Sequence, residues 1–146
     1  MIRARALELL ARREHSATEL ADKLRLRGFE PALVTLVIGA LQAEGLQNDA
    51  RFTETYVHHR VLRGYGPVRI RQELQARGIS ADLAEAALAS AGTDWTERLA
   101  EVWSRKFGKR APANYPEQAK QSRFLHQRGF SSEQIHRLMR QLEKGG

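Results

Sequence analysis

Apolar positions recur along this chain at spacings of three and four, the period of an amphipathic helix. Ile2, Ala6, Leu9 and Leu10 share one side of a first predicted helix over roughly residues 2–14. Ser16 with Glu19 three residues later forms a capping-box pattern and opens a second helix, which carries Leu20 and Leu24 and stops at Gly28. Pro31 starts a third with Leu33, Val34, Val37, Ile38 and Leu41, the most hydrophobic of the set and a core element, ending at Gly45. Asp49 is placed to cap a fourth, about 50–62, in which Phe52 and Tyr56 lie one turn apart. After the break Gly64-Tyr65-Gly66, a fifth helix runs from Pro67 to Gly78 with Ile70 and Leu74 on one face. Ser80 caps a sixth (81–91), and Asp94 with Glu97 opens a seventh bearing Trp95, Leu99, Val102 and Trp103. Beyond the irregular stretch Ala111–Pro116 come an eighth helix to Gly129 and a ninth, which Ser131 and Gln134 cap and which carries Ile135, Leu138, Met139 and Leu142. No alternating strand pattern or Asn-Gly hairpin turn interrupts the series.

The nine helices fall into three sets of three. Leu24-Arg25-Leu26-Arg27-Gly28-Phe29 aligns with Leu74-Gln75-Ala76-Arg77-Gly78-Ile79 and with Leu125-His126-Gln127-Arg128-Gly129-Phe130. Each segment has an apolar residue four before the glycine, an arginine one before it and an apolar residue one after. This is an internal repeat. The predicted fold is all-α: tandem three-helix repeats at 1–46, 47–92 and 93–146, forming an elongated or bent modular body. A unit this small is marginal alone, so neighbouring units are expected to support one another. The match lapses at Gln121, which stands where Leu20 and Ile70 stand in the other copies.

Composition narrows the function. The 146 residues include no cysteine, which excludes disulfides and thiolate chemistry. The N-terminus lacks a signal-peptide core and no stretch is apolar enough to cross a membrane, so a cytoplasmic protein is the default expectation. The net charge of +7 is uneven: residues 93–146 hold 11 Lys+Arg against 6 Asp+Glu, while 1–46 hold 7 against 6 and 47–92 hold 6 against 5. Such a balance suits a polyanion or an acidic partner surface.

Catalysis finds little support. His58 and His59 are adjacent and diverge by about 100° on a helix, so they cannot act as an i,i+4 metal pair. His15, His126 and His136 lie on separate elements, and no phosphate loop ending in Lys-Ser/Thr is present. No catalytic residue, metal or cofactor is expected. The binding candidates are Arg63, Tyr65, Arg69, Arg71 and Arg77 in the second repeat, and Arg105, Lys106, Lys109, Arg110, Lys120, Arg123 and Arg128 in the third. Arg27, Arg77 and Arg128 also suit a plainer role, bonding the last carbonyls of their helices and complementing the dipole, which fits Arg27 better than the other two, since those have more cations around them. Tyr65, between glycines, is expected to be more exposed than Phe52 or Trp103 and free to stack on a base or anchor an interface. A groove-reading helix-turn-helix is disfavoured, because the helix after Gly78 begins Ser80-Ala81-Asp82-Leu83-Ala84-Glu85, acidic and alanine-rich.

These residues resemble a known family, the RecX regulators of the RecA recombinase. The resemblance is carried by Asp49-Ala50-Arg51-Phe52, by Arg63-Gly64-Tyr65-Gly66-Pro67-Val68-Arg69-Ile70-Arg71-Gln72-Glu73-Leu74, by Arg105-Lys106-Phe107-Gly108, and by Arg123 to Phe130. With Glu19-Leu20 it spans essentially the whole chain. It implies a non-enzymatic modulator that binds RecA and RecA–DNA filaments and lowers ATP hydrolysis, strand exchange and assisted self-cleavage of the SOS repressor. The rival from the residues alone is a nonspecific nucleic-acid-binding protein that competes for DNA. A monomer is expected over a dimer.

Overall fold

The structure, a computed structural model, describes residues 1–145. Among them lie nine helices and no strand: α1 (Ile2–Arg12), α2 (Ala17–Leu26), α3 (Pro31–Ala43), α4 (Asp49–Leu62), α5 (Pro67–Ala76), α6 (Ala81–Ala91), α7 (Trp95–Phe107), α8 (Tyr115–Gln127) and α9 (Ser132–Gly145). Their starts follow from local chemistry. Ser16 Oγ accepts the Glu19 N–H and the Glu19 carboxylate accepts the Ser16 N–H, a complete capping box. Ser131 and Gln134 repeat it ahead of α9. Ser80, Asp94 and Asn114 each accept the N–H three residues on.

Two boundaries differ from the sequence expectation. Asn48 rather than Asp49 caps α4, accepting the Arg51 N–H at 3.0 Å. Asp49 instead accepts the Ala17 N–H at 2.8 Å and the Gln47 amide at 2.9 Å, so its carboxylate satisfies a first-turn donor of α2 that no capping side chain reaches. The first helix stops at Arg12, short of residue 14: Arg13 is extended and its carbonyl accepts from the buried His15 ring.

The three middle helices stop in one way. The N–H groups of Phe29, Ile79 and Phe130 reach back to the carbonyls of Leu24, Leu74 and Leu125 at 3.3, 3.0 and 3.2 Å. That bond, with an apolar residue at each end, is the Schellman stop. It explains why the aligned segments carry apolar residues on both sides of the glycine.

Two compact units divide the described chain, 1–56 with 73–87 and 57–72 with 88–145. In the first, Ala6, Leu20, Leu24, Val34, Ile38 and Leu41 make a buried cluster from α1, α2 and α3, flanked by Ile2, Leu9, Leu10 and Phe29. Leu33, grouped with the core residues of α3 by its spacing, is about half exposed instead. The second unit has its cluster in α7, α8 and α9: Leu99, Val102, Trp103, Leu125, Phe130, Ile135, Leu138 and Met139. Gln121 is buried beside this apolar cluster without loss. Its Oε1 accepts the Trp103 indole N–H at 2.8 Å and its amide donates to the Arg110 carbonyl at 3.0 Å. A bulky indole replaces a simpler apolar contact here, and the glutamine satisfies its one polar atom.

Candidate partner-binding surface

The arginine–glycine ends of α5 and α8 each dock on the start of a middle helix. In the first unit, the Arg77 carbonyl accepts a bond from Ser16 Oγ at 2.7 Å, at the head of α2. Gly78 lies so close that a Cβ built on it would stand 2.1 Å from Thr18 Oγ1. The Arg77 side chain turns back onto its own helix, donating to the Glu73 carbonyl at 3.0 Å, with its Nε 3.6 Å from Glu19. Its guanidinium lies 4.8 Å from the Tyr56 ring centre, and the Tyr56 hydroxyl donates to the Glu73 carboxylate. Burial alone would push Glu19 up. Hydrogen bonds from Arg13 and the Ser16 N–H, with the charges of Arg13 and Arg77, hold it below its ordinary value.

Beside this joint, His15 donates from Nδ1 to the Arg13 carbonyl at 3.0 Å. A carbonyl only accepts, so the proton sits on Nδ1 and Nε2 is left to accept from Lys23 Nζ at 2.9 Å. Burial lowers the pKa of His15, and the charges of Arg13 and Lys23 add to it, against the hydrogen bond to the Arg13 carbonyl and the charge of Glu19, which raise it. Burial and Arg13 likewise lower that of Lys23.

The joint of the second unit is built from the glycine–tyrosine turn. The N–H of Gly66 donates to the Arg128 carbonyl at 2.7 Å and that of Val68 to the Gly129 carbonyl at 2.9 Å. A Cβ on Gly66 would meet the Gly129 carbonyl oxygen at 2.4 Å, and one on Gly129 (φ +100°) would meet Arg69 Cβ at 2.2 Å. Arg69 donates to the Gln127 carbonyl at 2.9 Å and Arg128 to the Arg63 carbonyl at 3.1 Å. Tyr65 is half-buried, more exposed than the buried Phe52 and Trp103 as expected, but its ring is not free. The guanidinium groups of Arg60, Arg128 and Arg69 lie 3.8, 4.5 and 4.6 Å from its ring centre. Its ring is therefore held by cations of its own chain. Arg60, five residues before Tyr65, carries no signal that would have singled it out in the sequence.

The structure thus separates the twelve candidates. Tyr65, Arg69 and Arg128 converge at one joint and Arg77 sits at the other, each with internal contacts. Arg63 lends its carbonyl to Arg128 while its side chain is exposed, and Arg71 is exposed on α5. Arg105, Lys106, Arg110 and Lys120 line one hollow with Phe107, Gly108, Glu117 and Gln121. Lys109 and Arg123 are exposed outside that lining.

Charge pairing sorts them again. Arg3, Arg5, Arg13, Arg25, Arg51 and Arg77 of the first unit all form ion pairs, with Glu44, Glu8, Glu19, Asp22, Glu14 and Glu19 respectively. In the second unit Arg98 pairs with Glu101 and Arg137 with Glu133. Among the described residues Arg105, Lys106, Lys109, Arg110, Lys120 and Arg123 form none. The excess positive charge of the last third is therefore both exposed and uncompensated.

Fold and surface together define an all-helical tandem-repeat protein with arginine-bearing joints and an open cationic face on its last repeat. Known proteins agree repeat by repeat. Residues 3–41 match the first three-helix domain of RecX, residues 48–88 the second and residues 93–139 the third. The regulatory protein RecX of Pseudomonas fluorescens is 46% identical over 138 residues, covering 94% of this chain and 89% of that one. That of Ectopseudomonas mendocina is 45% identical over 139 residues, covering 95% and 93%. The crystal structure of RecX from Lactobacillus salivarius superposes with a TM-score of 0.77 at 28% identity, covering 97% of this chain and 94% of that one. The chain belongs to the RecX family of regulatory proteins.

Proposed function

We propose that this protein binds RecA and RecA filaments on DNA and restrains their ATPase, strand-exchange and co-protease activities. The observation that carries the reading is the set of unpaired, exposed cations on the third repeat, in a chain that matches RecX in all three repeats. A surface of this kind is attracted to acidic protein and to phosphate, and a RecA filament on DNA offers both. Contacts from several repeats are individually weak and add through effective concentration.

The test compares affinity for a RecA filament with affinity for the same naked DNA at matched salt, and follows RecA's DNA-dependent ATPase. Much tighter filament binding with ATPase inhibition is the expected result. Equal affinity for filament and naked DNA, with inhibition overcome by excess DNA, replaces this reading with simple competition for DNA.

A further inference from the structure

We infer that the hollow between the end of α7 and the start of α8 takes the phosphate groups of a nucleic-acid strand. The inference deepens the proposed function, and rests on it only in assigning one part of the surface to nucleic acid rather than to protein. Arg105 and Lys106 come from the last turn of α7, Arg110 from the loop beyond it, and Lys120 from α8. Complementing the α7 dipole explains the first two but not the others. The backbone turn that brings Arg110 round is costly. Gly108 and then Lys109 adopt positive φ, +61° and +63°, and Lys109 is the only non-glycine among the described residues to do so.

The cavity is about 470 Å³, within the range of roughly 300–1,000 Å³ of small-ligand clefts and far larger than one inorganic anion needs. Phe107 supplies an apolar wall and packs edge-on against Phe124, over which Lys106 Nζ lies at 5.1 Å. Glu117 is the one acid in the lining. Four like charges crowded in one hollow repel one another, and none has an ion-pair partner among the described residues. A strand with a phosphate on every nucleotide brings closely spaced negative charges that neutralise several at once, and its sugars can rest on the phenylalanine wall. An acidic protein surface offers more widely scattered carboxylates. The hollow therefore favours the strand.

The experiment titrates the full chain with a fluorescent oligothymidylate, without RecA, over a series of salt concentrations. Lys106→Ala/Arg110→Ala/Lys120→Ala is compared with Arg12→Ala/Arg25→Ala/Arg27→Ala, which has the same net charge. Each single-strand phosphate contact contributes about 0.7 to the log–log salt slope. The hollow variant is expected to lose about 2 from that slope and at least about tenfold in affinity, while the control keeps the wild-type slope. Glu117→Gln is expected to bind tighter than wild type. Equal losses in both triple variants, or none in either, overturn the inference. So does a polyglutamate chain that competes as well as the oligonucleotide at matched charge. These readouts are taken without RecA, so they are separate from failure of the proposed function, which appears as equal affinity for filament and naked DNA.

Discussion

At single residues, polar groups held inside the fold decide how it responds to acid and to substitution. Burial lowers the pKa of His15 beneath its ordinary 6.5, so between those two values the unfolded chain binds a proton that the folded chain refuses. Stability there rises with pH, and its His15 share is lost as pH falls below about 6.5 toward the folded value. Glu19 acts in the same direction at lower pH. Its folded value lies under the ordinary 4.5, so its contribution is present above that point and disappears as the carboxylate is protonated through the folded value. Urea midpoints measured from about pH 8 down to pH 5 should fall for wild type, and His15→Asn should flatten that fall even if its neutral-pH stability is lower. A midpoint that rises on acidification contradicts the assignment. Gln121 gives a second prediction. Gln121→Leu restores the apolar character of the other two repeats but leaves the Trp103 indole N–H and the Arg110 carbonyl without their partner. It should lower the unfolding free energy by about 1–3 kcal/mol in a denaturant titration, against the simple expectation that a leucine improves a core.

Between elements, the decisive feature is the docking of a helix end on a helix start, and glycine makes the approach possible. Gly28 has the same left-handed backbone as Gly129, φ +89° against +100°, yet an added Cβ at Gly28 meets nothing within 4 Å. Gly28→Ala should therefore cost only the backbone strain, about 1–2 kcal/mol. Gly129→Ala adds a collision with Arg69 and should cost about 2–5 kcal/mol, and Gly66→Ala should also destabilise through the Gly129 carbonyl despite its ordinary φ. Parallel thermal melts of the three variants check the order, and equal losses at 28 and 129 would remove the joint as the cause. How far the sequence foretold all this depends on range. Capping residues and Schellman stops act over three to five positions, so Ser16 with Glu19, Ser131 with Gln134, and the apolar residues around each Arg-Gly pair revealed nine helices and their repeat. The joints link Ser16 to Arg77, Arg69 to Gln127 and Arg128 to Arg63, residues 58 to 65 positions apart. No local pattern encodes such a pairing. That is why Tyr65 read as an aromatic free to stack and Asp49 as a cap, when Arg128, brought in from 63 positions away, joins the local Arg60 and Arg69 on the one's ring, and Ala17, 32 positions away, bonds the other's carboxylate.

At the scale of the whole chain, charge is divided by task, and the division can be tested as a double dissociation. Six of the first unit's arginines lie in ion pairs, some linking residues far apart in sequence, such as Arg3 with Glu44 and Arg51 with Glu14. Pairs this exposed are each worth about 0–1 kcal/mol, so removing them should weaken the fold slightly. Arg77 is more deeply engaged, with Glu19, the Glu73 carbonyl and Tyr56 together. Arg77→Ala should cost more, on the order of 1–3 kcal/mol. Reversing Arg69 and Arg77 to glutamate would therefore test folding and binding at once, since Arg69 also holds the Gln127 carbonyl. The cleaner substitution lies on the third repeat, where Arg105, Lys106, Arg110 and Lys120 have no internal ion pair to lose. Alanine at all four should leave stability within about 0.5 kcal/mol per site, and relief of mutual repulsion can offset even that. The same variant should lose most of its inhibition of RecA's ATPase at physiological salt, with wild-type helicity and melting. A parallel melt and ATPase titration of Arg77→Ala and of the four-site variant should then cross: the first less stable but inhibitory, the second stable but inactive. If instead the four-site variant inhibits fully, the uncompensated charge of the last repeat serves solubility, and binding must be sought at the arginine joints.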